Sequence, residues 1–242
     1  MIYRQPDNWK DLQNKVAAIL ESIGFQVEVE KEVKTPRGSI EIDVWARDNS
    51  GTEKITYIIE CKNWNKKIPQ TVIHSLTTVM HETGVNIGYL ISKKGLQSGA
   101  EEYLQNTNIQ AMTYLEFESR YMQSWWECTM NRYVATDADR LIQYVEPINS
   151  FRQRKIESLS QENVSRYVSL SEKYYHVAYF FSYLEIPSDI VQFKKRIKEV
   201  TGGELNIDAE CYVDSTIEIK DYVVTITSEF DKIFGEKLFV NT

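Results

Sequence analysis

The sequence has few of the residues that mark specialised architectures. Its 242 residues include three cysteines, ten glycines and five prolines, with no repeat and no low-complexity tract. The three cysteines are odd in number and far apart, which excludes a disulfide framework and the paired spacing of a zinc site. We therefore expect Cys61, Cys128 and Cys211 to be reduced thiols in an ordinary globular protein.

Long hydrophobic runs are also missing. No apolar stretch approaches the roughly 18 residues that cross a bilayer, and the segment Met-Ile-Tyr-Arg-Gln-Pro-Asp at the N-terminus has no apolar signal core. We therefore expect a cytoplasmic protein with no membrane partner. The length is sufficient for a full core and for two structural units.

The chain has no overall excess of positive charge. It carries 28 Lys and Arg against 35 Asp and Glu, a net charge of −7. Surfaces that bind nucleic acid are basic, so this balance argues weakly against a nucleic-acid function. The local balance is different, because the segment from Lys62 to Lys94 contains five lysines and a single acid, Glu82.

Charged residues on two neighbouring strand-like segments carry the clearest chemical signal. Ser39–Trp45 alternates polar and apolar residues, and Ile55–Lys62 is an apolar run that ends in charge. Residues two apart on a strand share a face. If the segments pair, Asp43, Glu60 and Lys62 converge. Two carboxylates for a hard cation, with an ammonium beside them, meet the needs of metal-assisted phosphodiester hydrolysis.

The alternative interpretation is a solvated sheet face with cross-strand ion pairs, which contribute little to stability. Two features favour a functional site. Tyr57-Ile58-Ile59 is typical of a central strand buried on both faces. The charges follow at its end, where open sheets tend to place their sites.

The spacing of these residues resembles the Asp…Glu-x-Lys signature of the PD-(D/E)XK nuclease superfamily, most closely its Mrr-like restriction endonuclease branch. Asp43 is followed seventeen residues later by Glu60-Cys61-Lys62. The predicted order of helix, three strands, helix, strand, helix and strand extends the resemblance over about residues 7–118. The resemblance implies a Mg²⁺-dependent DNA endonuclease, with Mn²⁺ as a substitute, that acts in restriction, phage defence or DNA repair.

The resemblance also assigns roles to residues. Asp43 and Glu60 would hold the metal with the backbone carbonyl of Cys61, and Lys62 would orient or activate the attacking water. Many Mrr-like enzymes carry a Glu on the first helix, and the matching position here is Gln13. Gln13 is either a neutral ligand of the metal or its water, or an ordinary exposed helix residue.

Other polar residues near the motif are candidate accessory groups. Glu41 shares the strand face of Asp43 and is an accessory or alternative ligand. A strand-to-helix junction exposes backbone amides that bind phosphate, and it resembles the place where family members meet the DNA backbone. The candidate DNA-binding residues are Lys66, Lys67, Ser92, Lys93 and Lys94. The alternative is a set of surface lysines in loops.

These patterns predict two domains. Residues 1–118 form an α/β nuclease domain, a mixed central sheet flanked by helices. Residues 119–242 form a mainly helical α+β unit of unknown role, with helices followed by a β-hairpin over 205–213 and 216–227. This second unit matches no family, and four roles stay open for it: packing on the nuclease domain, forming a homodimer, recognising substrate, or binding a protein partner.

Two further functions stay open at this point. One is a nuclease-fold module that binds DNA or protein with little turnover, and the other is a nuclease subunit activated by a partner. Gln13 in place of Glu and the acidic charge balance favour the binding module, whereas the intact Asp43, Glu60 and Lys62 oppose it.

Overall fold

The computed structural model describes residues 1–105 and 107–240, and these residues divide into two compact units. The first unit contains Met1 and Tyr3–Trp125, and the second contains Ile2 and the residues from Trp126 onward. The boundary that the sequence predicts after residue 118 falls inside a helix that ends at Trp125. Among the described residues, no helix combines the length and apolar character that crossing a membrane demands.

A five-stranded mixed sheet forms the centre of the first unit, with the strands in the order β1-β2-β3-β4-β5. The strands are β1 (Gln26–Thr35), β2 (Gly38–Asp48), β3 (Ile55–Lys62), β4 (Ile87–Ser92) and β5 (Ile109–Thr113). β2 pairs antiparallel with β1 and β3, and β4 pairs parallel with β3 and β5. The helices are α1 (Trp9–Ser22), α2 (Gln70–Thr83), α3 (Ser98–Leu104) and α4 (Tyr114–Trp125). The predicted α/β class and element order are confirmed.

Local sequence explains where α1 begins and ends. Asn8 caps its N-terminus, because the Asn8 side chain accepts a hydrogen bond from the backbone N–H of Asp11 at 3.0 Å. Apolar residues at helical spacing, Leu12 and Val16 among them, are buried against the sheet. The helix stops before Gly24, whose φ of +94° suits glycine.

The opposite face of the sheet packs on α2 and α3. Ile58 of β3 and Leu90 of β4 share one apolar cluster with Ile73 and Leu76 of α2, all 5% exposed or less. Since Ile58 and Glu60 are two apart on β3, the helix that covers Ile58 also borders the charged end of this strand.

The second unit is helical. Its elements are a π-helix (Trp126–Asn131), α5 (Arg132–Val145), α6 (Ser150–Ile156), α7 (Gln161–Ser182), α8 (Ile190–Val200) and α9 (Tyr212–Phe234). Its core is aromatic: Tyr144 stacks on Phe230 with ring centroids 5.0 Å apart, and Tyr144 also donates a hydrogen bond to Asp231. Arg140 reaches the same Asp231 carboxylate at 2.5 Å.

The predicted C-terminal β-hairpin is wrong. Residues 216–227 lie within α9, and residues 205–211 form no strand. The many β-branched residues here favour a strand. The buried positions, however, do not recur at every second residue as they would in a strand exposed on one face. One face of α9 is buried at positions alternately four and three apart: Tyr212, Thr216, Ile219, Val223, Ile226, Phe230 and Ile233. That spacing is typical of a helix packed along one side.

Candidate active site

The pairing of β2 with β3 brings Asp43 next to Glu60 and Cys61. The ladder places Val44 opposite Ile59, so Asp43 and Glu60 are the next residues beyond this pair. The Asp43 carboxylate then accepts a hydrogen bond from the backbone N–H of Cys61, with Oδ2 2.7 Å from the nitrogen. The Asp43 carboxylate is thereby held at the backbone of β3, near Glu60 and Lys62, the charged residues that flank Cys61.

Glu60 and Lys62 point to the same side of β3 and form an ion pair between Oε1 and Nζ. Both side chains are largely covered, with 28% of Glu60 and 21% of Lys62 exposed. The sequence pattern predicts this shared face, because the two residues are two positions apart on one strand. A carboxylate and an ammonium therefore stand together at the end of a central strand.

Burial and neighbouring charges shift the pKa values of this group. Burial, and then the charge of Asp43, raise the pKa of Glu60 more than Lys62 lowers it. Burial lowers the pKa of Lys62, but its hydrogen bond to Glu60 and the charges of Glu60 and Asp43 outweigh this, so the pKa rises. Burial also raises the pKa of the Cys61 thiol well above its usual value. Lys62 is charged and Cys61 is a neutral thiol near neutral pH.

A cleft of about 280 Å³ opens beside the ion pair. Glu60, Lys62 and the exposed Glu41 line one side, and residues of α2 that include Thr71 and Ser75 line the other. The structure thus brings Glu41 to the same cavity as Glu60 and Lys62. The α2 residues were not predicted as part of the site. Helical spacing places Thr71 and Ser75 on one face of α2, but no sequence signal shows that this face borders Glu60.

Gln13 lies on α1 and is buried, with 1% of its surface exposed. The interpretation of Gln13 as an ordinary exposed helix residue is therefore wrong. Its amide oxygen has no hydrogen-bond partner among the described residues. A buried acceptor without a donor costs free energy, which makes this oxygen available to a cation or a water.

Two lysine-rich loops follow β3 and β4 and are joined to each other. Ile68 pairs with Leu96 in an isolated bridge, and the backbone N–H of Lys93 bonds to the Lys62 carbonyl at 3.3 Å. The loops carry four exposed lysines next to the motif: Lys66, Lys67, Lys93 and Lys94.

Ser92 differs from these lysines. It is 1% exposed, and its hydroxyl oxygen accepts a hydrogen bond from the backbone N–H of Gly95 at 3.0 Å. Its hydroxyl is committed to the turn after β4, whereas the four lysines are exposed. Contact between Ser92 and DNA stays a prediction.

The donor set around Asp43 fits a hard, oxygen-seeking cation. Within residues 1–105 and 107–240, no three His, Cys, Asp or Glu side chains assemble into a ready cage. Mg²⁺ does not require one, because it is usually held by one or two carboxylates and keeps several waters. Asp43 and Glu60 offer the carboxylates, and the pairing of β2 with β3 and the hydrogen bond from the Cys61 N–H to Asp43 hold them close together. The Cys61 carbonyl and Glu41 are further oxygen donors on the same two strands.

Comparison with known proteins identifies the first unit. Residues 7–120 match the Mrr_cat family model, described as restriction endonuclease. This confirms the resemblance that the Asp43, Glu60 and Lys62 pattern predicts: the segment is an Mrr-type restriction endonuclease domain of the PD-(D/E)XK kind.

Comparisons over the whole chain add little. No curated protein matches the chain significantly. A solved structure titled "Crystal Structure of Protein of Unknown Function AF1548" is 17% identical, covering 69% of this chain and 97% of its own, with a TM-score of 0.42. A likeness at that level supports no conclusion about function.

Proposed function

We propose that the protein is a divalent-metal-dependent DNA endonuclease in which Asp43, Glu60 and Lys62 perform the hydrolysis. The observation that carries this proposal is the meeting of two carboxylates and one ammonium at the end of β3. This arrangement lies within a restriction endonuclease domain. Hydrolysis of a phosphodiester needs an activated water and positive charge near the phosphate, and this group of side chains suits both needs.

Asp43, Glu60 and the Cys61 carbonyl are the proposed ligands of Mg²⁺, or of Mn²⁺ in its place. A cation held there supplies Lewis acidity, which activates water and offsets charge on the phosphate. Gln13 and Glu41 are proposed accessory ligands. Gln13 contributes a neutral oxygen where a carboxylate is common, so less charge holds the metal.

Lys62 is proposed to orient the attacking water and to offset charge that develops on the phosphate. It donates hydrogen bonds but cannot accept one while charged, so it is not a metal ligand. The water oxygen forms a bond to phosphorus while the bond to the leaving oxygen breaks. Lys62 stands beside the Glu60 carboxylate, where its charge lowers the cost of this step.

The four loop lysines are proposed to contact the DNA backbone on either side of the scissile phosphate. Such contacts provide affinity that does not depend on sequence. The proposed biological role is restriction, phage defence or DNA repair in the cytoplasm. The second unit is proposed to act in dimerisation or in binding a protein partner.

A second candidate is a nuclease-fold binding module with little turnover, or a subunit that needs a partner. Gln13 and the net charge of −7 favour this alternative. Purified protein incubated with methylated and unmethylated plasmid DNA in Mg²⁺, Mn²⁺ or EDTA separates the functions. We expect nicked or linear product only with the metals. Tight DNA binding without any product favours the binding module, and product in EDTA contradicts the proposal.

A further inference from the structure

Helix α2 carries five hydroxyl side chains, and the two that line the cleft differ from the others. Thr77, Thr78 and Thr83 each donate a hydrogen bond to the carbonyl four residues earlier, at 2.7 to 3.0 Å. Helical Ser and Thr commonly satisfy their hydroxyls in this way. Within residues 1–105 and 107–240, the hydroxyls of Thr71 and Ser75 make no such bond.

The reason differs between the two residues. Thr71 lies in the first turn of α2, where the helix has no carbonyl four residues earlier. Ser75 has the Thr71 carbonyl within sequence reach but does not use it. Both side chains are exposed, and both line the cleft whose other wall carries Glu60 and Lys62. Their hydroxyl hydrogens are therefore available to a molecule that enters the cleft.

The rest of the cleft indicates what that molecule is. Its remaining wall is largely apolar, with Ile40, Val72, Leu76 and Val79 among the lining residues. The cleft therefore presents neutral hydroxyl donors on one side, the Lys62 ammonium with the Glu41 and Glu60 carboxylates on the other, and apolar surface between them. A phosphodiester strand matches this pattern when the carboxylates hold a cation, because its charged phosphate oxygens alternate with deoxyribose.

We propose that Thr71 and Ser75 bind the backbone of the cleaved strand and position its phosphate against Glu60 and Lys62. Residues four apart on a helix have Cβ atoms about 5–6 Å apart, so the two hydroxyls can serve one phosphate or two consecutive ones. Ser and Thr are frequent phosphate donors in protein–DNA complexes. This inference rests on the proposed nuclease function and adds to it the wall that holds the substrate.

The test is the double variant Thr71→Val/Ser75→Ala in the full chain, with Thr78→Val as the matched control. Thr78 lies on the same helix and is exposed, but its hydroxyl is bonded to the His74 carbonyl. We expect KM for a defined DNA duplex to rise roughly tenfold for each hydroxyl lost, since hydrogen bonds to charged groups are the stronger kind. The value of kcat should change far less, and Thr78→Val should match the wild type.

Two further readouts separate substrate contact from a structural effect. The slope of log Kd against log salt should be unchanged in the double variant, because no positive charge is removed. The conservative variant Thr71→Ser/Ser75→Thr keeps both hydroxyls and should have the wild-type KM.

Two outcomes overturn the inference while the wild type cleaves. One is an unchanged KM in the double variant, and the other is an equal rise of KM in Thr78→Val. If the wild type does not cleave, the nuclease proposal fails by itself. Equal Kd values of wild type and double variant for the same duplex then overturn this inference.

Discussion

Lys62 forms an ion pair with Glu60 and lies near the charge of Asp43, and these contacts outweigh the opposing effect of burial and keep its ammonium charged. The charge serves the reaction without binding the cation. Replacing Lys62 with Ala should therefore lower the cleavage rate by about a hundredfold or more. Calorimetric titration should show that Mn²⁺ affinity changes much less.

The matched variant Lys62→Arg keeps the positive charge but changes its geometry. It should retain metal binding and recover part of the rate. A Lys62→Ala protein that loses Mn²⁺ binding, or that cleaves at the wild-type rate, would contradict the role of this residue.

Glu60 gives a prediction about stability and pH. Its pKa is raised in the folded chain from the usual 4.5, since burial and Asp43 together outweigh the charge of Lys62. The folded state then binds this proton more tightly than the unfolded state. The contribution of Glu60 to the free energy of unfolding therefore falls as pH rises above about 4.5.

Glu60→Gln removes this titration. Without metal, in EDTA, the variant should melt at a higher temperature than the wild type at pH 7.5. The difference should shrink as pH falls toward 4, where Glu60 of the wild type is protonated in both states. Paired thermal melts at the two pH values provide the measurement. A variant that is less stable at pH 7.5, or equally shifted at both pH values, would be inconsistent with a raised pKa.

At the scale of elements, the two lysine-rich loops are joined by the Ile68–Leu96 bridge and act as one surface. Each lysine that contacts a phosphate releases counterions when DNA binds, which adds about 0.9 to the slope of log Kd against log salt. Lys66→Gln/Lys67→Gln should weaken binding to a short duplex and reduce this slope by up to about 1.8.

The control for the loop variants is Lys54→Gln. Lys54 is exposed just before β3 begins, at the end of the strand away from the motif. Its replacement should leave the slope unchanged. Equal slopes for the loop variant and the wild type would remove these lysines from the DNA-binding surface.

The elements also show how far the sequence could predict the fold. Period-two alternation and the turn residues between β2 and β3 are local signals, so the sheet and the shared face of Glu60 and Lys62 were predictable. In α9, two signals conflict. Local β-branched propensity indicates a strand, whereas the four-three spacing of Ile219, Val223 and Ile226 indicates a helix. The longer pattern prevails because it buries one continuous face.

The contents of the cleft were less predictable. Gln13 has the spacing of a buried position on α1, but its polar side chain suggests exposure, and only the packed helix shows that it is covered. Thr71 and Ser75 line the same cleft as Glu60 because α2 packs on this face of the sheet, which is a long-range contact. A sequence pattern carries no direct signal for such a contact.

At the scale of the whole molecule, the first unit has the complete sheet and its own core. Its last helix must be kept entire, because Trp125 is fully buried and Tyr121 packs on Phe117 with ring centroids 4.9 Å apart. Ile2 groups with the second unit, where its carbonyl accepts a hydrogen bond from the Val213 N–H. A fragment of residues 3–125 should therefore fold alone, whereas one ending at residue 118 should not fold stably.

Circular dichroism and Mn²⁺ titration of the fragment 3–125 test this expectation. We expect native-like melting and metal binding, with weaker or less selective DNA cleavage than the full chain, because a dimer can supply two nicks from two identical sites. Cleavage with the rate and selectivity of the full chain would exclude the second unit from both catalysis and recognition.

The central claim is that Asp43 and its neighbours perform metal-dependent hydrolysis. Asp43→Asn tests it more cleanly than Asp43→Ala, because the Asn side-chain oxygen can still accept the Cys61 N–H bond. The control is Asp48→Asn, the same substitution at the far end of β2. The measurement is the single-turnover rate of plasmid cleavage in Mg²⁺. The account predicts a loss of at least about a thousandfold for Asp43→Asn and a wild-type rate for Asp48→Asn. Near-wild-type cleavage by a folded Asp43→Asn protein would contradict it.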